Sequence, residues 1–147
     1  MKKTRQTPLK ILHLIHDYAD IGFDPATTVY NPACARFFCS PGEGPRSRDG
    51  QTVCSEWVGP NGLAIEEWGD YGFTFVNPPY GKDLRVWLEK IQDEAEGGAE
   101  IIALLPCARW EQEYLTKCLT HANAVCFIRG RVSFINPDTG DAVNGNP

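Results

Sequence analysis

The chain has 147 residues, 42% of them apolar and 11% aromatic, with four Trp and a formal net charge of −5. This supports one domain with a core of its own and excludes both a disordered chain and, since no apolar run nears the ~20 residues a bilayer needs, a spanning helix. The acidic balance excludes a tight non-specific nucleic-acid binder, although local basic clusters remain at Lys2, Lys3 and Arg5, at Arg46 and Arg48, and at Arg129 and Arg131.

The opening "MKKTRQTPLKILHLIHDYAD" pairs a basic start with an apolar stretch, as a signal peptide does. Lys10, His13 and His16 interrupt that stretch and no small-residue cleavage site follows, so it reads as the N-terminus of a cytoplasmic protein. Leu9, Leu12, Ile15 and Tyr18, widened by Ile11 and Leu14, predict a helix over 8–18, with Thr7 as N-cap and Pro8 as first helical residue. His13 and His16 read as partly buried structural residues. "IGFDPATTV" predicts a short strand ending at Asp24-Pro25, and the Gly-, Pro- and charge-rich span 40–62 a loop or insertion. "YGFTFV" is a strand; "LRVWLEKIQDEAEGG" is a helix stopped by Gly97-Gly98. "EIIALLPCA" has the continuous apolar pattern of a buried parallel strand. "WEQEYLTKCLTHA" is a helix, and "AVCFIRGRVSFIN" one bent strand or a hairpin around Gly130. The alternation predicts an α/β fold with a parallel sheet, as one domain over 1–147.

Six cysteines in a chain with this much apolar content read as reduced thiols. Cys107, Cys118 and Cys126 lie in apolar segments and are expected in the core. Cys34, Cys39 and Cys54 have no matching second pair, which favours structural thiols over zinc, so no metal is expected. The four Trp (57, 68, 87 and 110) are core residues by default.

In parallel α/β sheets ligands sit beyond the carboxyl ends of the strands. Three predicted strand ends carry polar or proline-bearing exits: Asp24-Pro25, Asn77-Pro78-Pro79-Tyr80, and Pro106-Cys107-Ala108-Arg109. Two consecutive prolines halt a sheet ladder and leave Asn77 and Tyr80 on a stiff stub. The Asn77 side-chain oxygen and the Pro78 carbonyl are then two fixed acceptors. Aimed at the hydrogens of a conjugated NH2 group, they favour the tetrahedral geometry in which its lone pair attacks a methyl sulfonium. Tyr80 offers a flat face for a base turned out of its duplex.

Asn-Pro-Pro-Tyr after a strand resembles the catalytic motif of S-adenosylmethionine-dependent amino-methyltransferases. The segments "TPLKILHLI", "FDPATTVYNPACARFF", "GLAIEEW", "FVNPPYG", "LLPCAR" and "IRGRVSF", in that order, resemble the phage-type DNA adenine methyltransferases of the Dam-like family. The resemblance implies a Rossmann-like, mostly parallel sheet with helices on both faces, S-adenosylmethionine as cofactor and DNA as partner. It implies Asn77, Pro78 and Tyr80 as catalytic residues. Thr7, Pro8, Asp24, Pro25, Ala26 and Asn31 would bind cofactor, and Pro79, Arg109, Arg129 and Arg131 substrate.

The sequence departs from this pattern at three points. "FDPATT" lacks a Gly-x-Gly turn after the first strand, and no acid after "ACARFF" is placed for ribose hydroxyls, leaving Glu43, Glu66 or Glu67. The resemblance also implies a last sheet strand that the chain stops short of. The open edge that would result predicts self-association, as a homodimer, through 124–147, with Val125, Phe127 and Ile128 only partly covered. Two rival readings follow: a methyltransferase acting on a protein amide nitrogen, and a non-catalytic relative that binds cofactor or DNA.

Overall fold

The computed structural model describes residues 6–28, 33, 35–42, 55–108, 111–136 and 139–144. Helix α1 spans Leu9–Tyr18, followed by strands β1 (Phe23–Asp24), β2 (Phe37–Cys39) and β3 (Glu56–Gly59). After 3-10 turns at Gly62–Ala64 and Trp68–Tyr71 come β4 (Thr74–Val76), α2 (Leu84–Glu96), β5 (Ile101–Ala103), α3 (Glu113–His121), β6 (Ser133–Ile135) and β7 (Ala142–Asn144). The first five strands form one sheet in the order β3-β2-β1-β4-β5, and every neighbouring pair is parallel. This is the doubly wound α/β arrangement, in which the connections diverge on either side of β1 and open a crevice between β1 and β4.

Alternation along the short strands divides the core between two faces. Phe75 and Ile102 point to one face, where Leu12 and Ile15 of α1 cover them together with Ile21 and Ala35. Phe23, Val76, Ile101 and Ala103 point to the other, against Trp68 and against Trp87 of α2. Helices therefore flank both faces, as the family resemblance implies. Leu84 and Leu88 carry the packing outward to Leu115 of α3.

Trp68 is the anchor of the second face. It is fully buried, its indole Nε1 donates to the Gly62 carbonyl at 3.0 Å, and its backbone N–H donates to Glu94 Oε2 at 2.6 Å. Lys90, one turn earlier on α2, donates to the other carboxylate oxygen, so Glu94 is buried with both oxygens engaged. Gly62 lies directly on the exit of β1: a Cβ there would come within 2.3 Å of the Pro25 side chain, and its N–H donates to the Pro25 carbonyl at 3.2 Å. Only a residue without a side chain allows this approach.

Several expectations are corrected. The span 40–62 is not wholly a loop, because Glu56–Gly59 forms the edge strand β3 against β2; residues 43–54 of that span, with Arg46, Arg48, Glu43 and Cys54, lie outside the described residues. The helix starts at Leu9 rather than Pro8, with extended Pro8 as its cap. The Thr7 hydroxyl makes no capping bond and is engaged elsewhere. β5 is half-buried rather than buried, because it is the last strand of the sheet and its outer side has no partner strand among the described residues. "AVCFIRGRV" forms no strand; only Ser133–Ile135 pairs, antiparallel with Ala142–Asn144 of the tail. Val125, Phe127 and Ile128 are 47%, 71% and 47% exposed, so they are uncovered to the degree expected of unpaired side chains.

Cys107 and Cys126 are exposed and Cys118 is half-buried, so none is a core residue; among the described cysteines Cys39, on β2, is buried. Cys34 lies outside the described residues, as does Trp110. Trp68 and Trp87 are core residues, whereas Trp57 is half-buried, with its indole donating to the Ser40 carbonyl. His16 is half-buried and hydrogen-bonded to the Ala33 carbonyl, while His13 is exposed. Among the described residues no helix is long and apolar enough to cross a membrane.

Replacing Glu94 with Ala removes the acceptor for the buried Trp68 N–H and should lower the free energy of unfolding by about 2 kcal/mol. Urea denaturation followed by tryptophan fluorescence measures it. Glu94→Gln, which keeps one acceptor oxygen, should lose less.

Candidate active site

The carboxyl ends of β1, β4 and β5 lie along one edge of the sheet, in register: Phe23 is opposite Thr74, and Val76 opposite Ala103. β4 ends at Val76, whose carbonyl accepts from the Leu104 N–H at 2.9 Å. Pro78 and Pro79 have no N–H to continue the ladder, so the chain turns away there, and Gly81, at φ +113°, completes the turn before α2. Asp24 and Asn77 thus stand at the ends of the two strands that border the crevice.

Asn77 is half-buried, and its side-chain Nδ2 donates to Thr7 Oγ1 at 3.1 Å. Among the described residues no donor meets its Oδ1. Tyr80 is half-buried too: its hydroxyl donates to the Leu104 carbonyl at 3.2 Å, and its ring meets Phe134 of β6 edge-on, centroids 6.2 Å apart. Burial pushes the Tyr80 phenol well above its ordinary pKa, and nearby Cys107 adds to the rise, so it remains a neutral donor. Pro78 is buried and Pro79 exposed.

The segment before α1 spans this crevice. Gln6 pairs both ways with Ile135 of β6, through N–H···O contacts of 2.8 and 3.0 Å, and its side chain donates to Thr28 Oγ1 at 3.4 Å beyond β1. Thr7 follows on the β4 side. The strap therefore touches the exits of both bordering strands.

Asp24 is buried, with Oδ1 accepting from the Ala26 N–H at 3.1 Å. Burial pushes its pKa from 3.8 up to about 7, and the Ala26 hydrogen bond only partly offsets this. The Thr27 hydroxyl lies near enough to oppose the rise, yet its Oγ1 is buried without a hydrogen-bond partner of good geometry. Next to them, burial pushes the Cys39 thiol up to about 12, with Asp24 adding to it.

Of the residues singled out in the sequence, Asp24 to Ala26 and Asn77 to Tyr80 lie at the carboxyl ends of the neighbouring strands β1 and β4, and Thr7, followed by Pro8, is bonded to Asn77. Arg129 and Arg131 are exposed on the approach to β6, on either side of Gly130 at φ +84°. Asn31 and Arg109 lie outside the described residues. Glu66 and Glu67 are exposed, and Ser40, directly after β2, bonds the Gly42 carbonyl. Sequence reasoning missed Gln6, Thr28 and Phe134. The one local signal for Gln6 was its place beside Thr7-Pro8; Phe134 gave none. Among the described residues no group of three His, Cys, Asp or Glu is placed to hold a metal ion.

The Asp24 carboxyl carries a stability term with a defined sign. Its folded pKa lies above its unfolded value, so folding favours the protonated form, and the cost of burying the charge grows as pH rises from 3.8 through 7. Asp24→Asn should match the wild type near pH 4 and exceed it by up to about 4 kcal/mol above pH 7. Denaturant unfolding across that range checks it; a gap that widens toward acid would contradict the assignment.

The family model described as DNA N-6-adenine-methyltransferase (Dam) matches residues 44–147. That span includes Asn77 to Tyr80, Arg129, Arg131 and Phe134, and leaves Thr7 and Asp24 before it. No curated protein and no solved structure matches the chain. With the sheet order, the proline-terminated inner strand and this match taken together, the chain belongs to the DNA N-6-adenine-methyltransferase (Dam) family.

Proposed function

We propose that the crevice between β1 and β4 binds S-adenosylmethionine and an adenine turned out of DNA, and that the chain transfers the cofactor's methyl group to the adenine exocyclic amine. The observation that carries this reading is the state of Asn77. Its amide N–H is bound back to Thr7, while Oδ1, on the exit of an inner strand, has no donor among the described residues. A half-buried acceptor without a donor is suited to a hydrogen that a ligand brings.

The residues across the crevice suit a cofactor bearing an ammonium group. A positive partner beside Asp24 would restore its charged form, and Thr27 Oγ1 is a buried polar atom still to be matched. Pro8, Pro25 and Ala26 would line the same side, while Thr7 stands on the β4 side with Asn77. S-adenosylmethionine would supply the electrophile, a methyl group on a sulfonium centre, whose S–C bond breaks as the N–C bond forms and whose remainder leaves as the neutral thioether. Asn77 Oδ1 and the Pro78 carbonyl accept the two amine hydrogens and turn the nitrogen lone pair out of conjugation. Little general-base strength is needed, because the nitrogen becomes strongly acidic once the N–C bond forms and releases its proton to water. Tyr80, held by Leu104 and Phe134, presents its ring for stacking. Pro79 would face the substrate, and Arg129 and Arg131 would contact phosphate.

The test is methyl transfer from labelled S-adenosylmethionine onto unmethylated DNA, with protein extract as the competing acceptor. Label in DNA N6-methyladenine supports the reading. Label in protein instead, or cofactor binding without transfer, would replace it. Asn77→Ala should lower kcat about 100-fold or more while leaving cofactor affinity by calorimetry close to that of the wild type. Loss of cofactor binding in a folded Asn77→Ala protein would remove Asn77 from the acceptor side.

A further inference from the structure

Both ends of the Asn77–Tyr80 turn are held by residues remote in sequence, and those holders are joined to each other. Asn77 Nδ2 donates to Thr7 Oγ1 at 3.1 Å. Thr7 follows Gln6, which pairs by backbone in both directions with Ile135. Ile135 follows Phe134, whose ring meets Tyr80 at an interplanar angle of 80°. Tyr80 closes the circuit three residues after Asn77.

An asparagine amide turns about a broad, two-fold torsion, so nothing intrinsic to Asn77 fixes the direction of Oδ1. The proline pair fixes its backbone only. A hydrogen bond at Nδ2 sets the plane of the amide and with it the line along which Oδ1 accepts. Thr7 can do this because it is itself mounted: the two Gln6–Ile135 hydrogen bonds hold the preceding residue to β6, and the Gln6 side chain reaches Thr28. Thr7 is buried, so water does not readily replace its hydroxyl.

Building on the proposed methyl transfer, we infer that Thr7 is a positioning residue: its hydroxyl accepts one Asn77 amide N–H and so aims Oδ1 at the acceptor amine. This differs from the cofactor role that the family resemblance implies for Thr7, and the two roles separate kinetically. A group that orients an acceptor acts in the transition state and lowers kcat when lost, whereas a cofactor contact raises the KM for cofactor.

Thr7→Val removes the hydroxyl at similar size and should lower kcat about tenfold or more, as small misplacements of reacting groups do, with little change in the KM for S-adenosylmethionine. Thr7→Ser keeps the hydroxyl and should restore most of the rate. A raised cofactor KM with kcat intact in Thr7→Val, or equal loss in Thr7→Ser and Thr7→Val, overturns the inference. Nitrogen-15 NMR of the Asn77 side-chain NH2 needs no turnover: one proton should be shifted downfield in the wild type and Thr7→Ser, and not in Thr7→Val. An identical NH2 signal in wild type and Thr7→Val also overturns it. If the wild type methylates nothing while this pattern holds, the proposed function fails and the Thr7–Asn77 bond stands.

Discussion

Two prolines in succession have no N–H to offer, and this constraint organises the whole upper edge of the sheet. β4 is an inner strand, paired on one side with β1 and on the other with β5. Pro78 and Pro79 cannot donate, so the ladder cannot run on past Asn77. Instead the last β4 bond is the one from Leu104, and the chain leaves the sheet with Asn77 beside the crevice. Everything proposed for the site depends on that abrupt exit.

The opposite wall is fixed by packing. Gly62 presses onto Pro25, the Trp68 indole bonds the Gly62 carbonyl, and Glu94 of α2 holds the Trp68 backbone. A chain of short contacts thus runs from a helix on one face to the end of the central strand. It holds Asp24 in a place where its carboxylate is costly to ionise. Among the described residues no cation is paired with it, and buried acids with raised pKa values cluster at functional sites.

Much of this was legible in the sequence where the signal is local. The helical stripes of α1 and α2, the Gly97-Gly98 stop and the proline-terminated strand each depend on a few adjacent residues. β2 and β3 were not legible: Phe37–Cys39 and Glu56–Gly59 are too short to show a period, and pairing with β1 and with each other makes them strands. The converse error has the same cause. Residues 124–128 have strand-like composition but no strand beside them among the described residues, and β propensity expresses itself only in a sheet. In the site, Asn77 and Tyr80 stood out because prolines flank them. Thr7 was found by resemblance but given a different partner, since nothing local joins it to a residue 70 positions away.

The pairing of Gln6 with Ile135 also bears on assembly, because it joins residues near the two ends of the described chain. Contacts between positions so distant along the chain carry a large loop-closure cost and form late. On the ribosome the chain emerges from its N-terminus, so β1 to β5 are available before residue 135 is. Until residue 135 has emerged, Gln6 has no Ile135 to pair with and Thr7 lacks that mount. On the proposed reading of the site, a chain without β6 would keep the ends of β1 and β4 but work more slowly, because the Thr7 that holds the Asn77 amide would then lack its mount on β6.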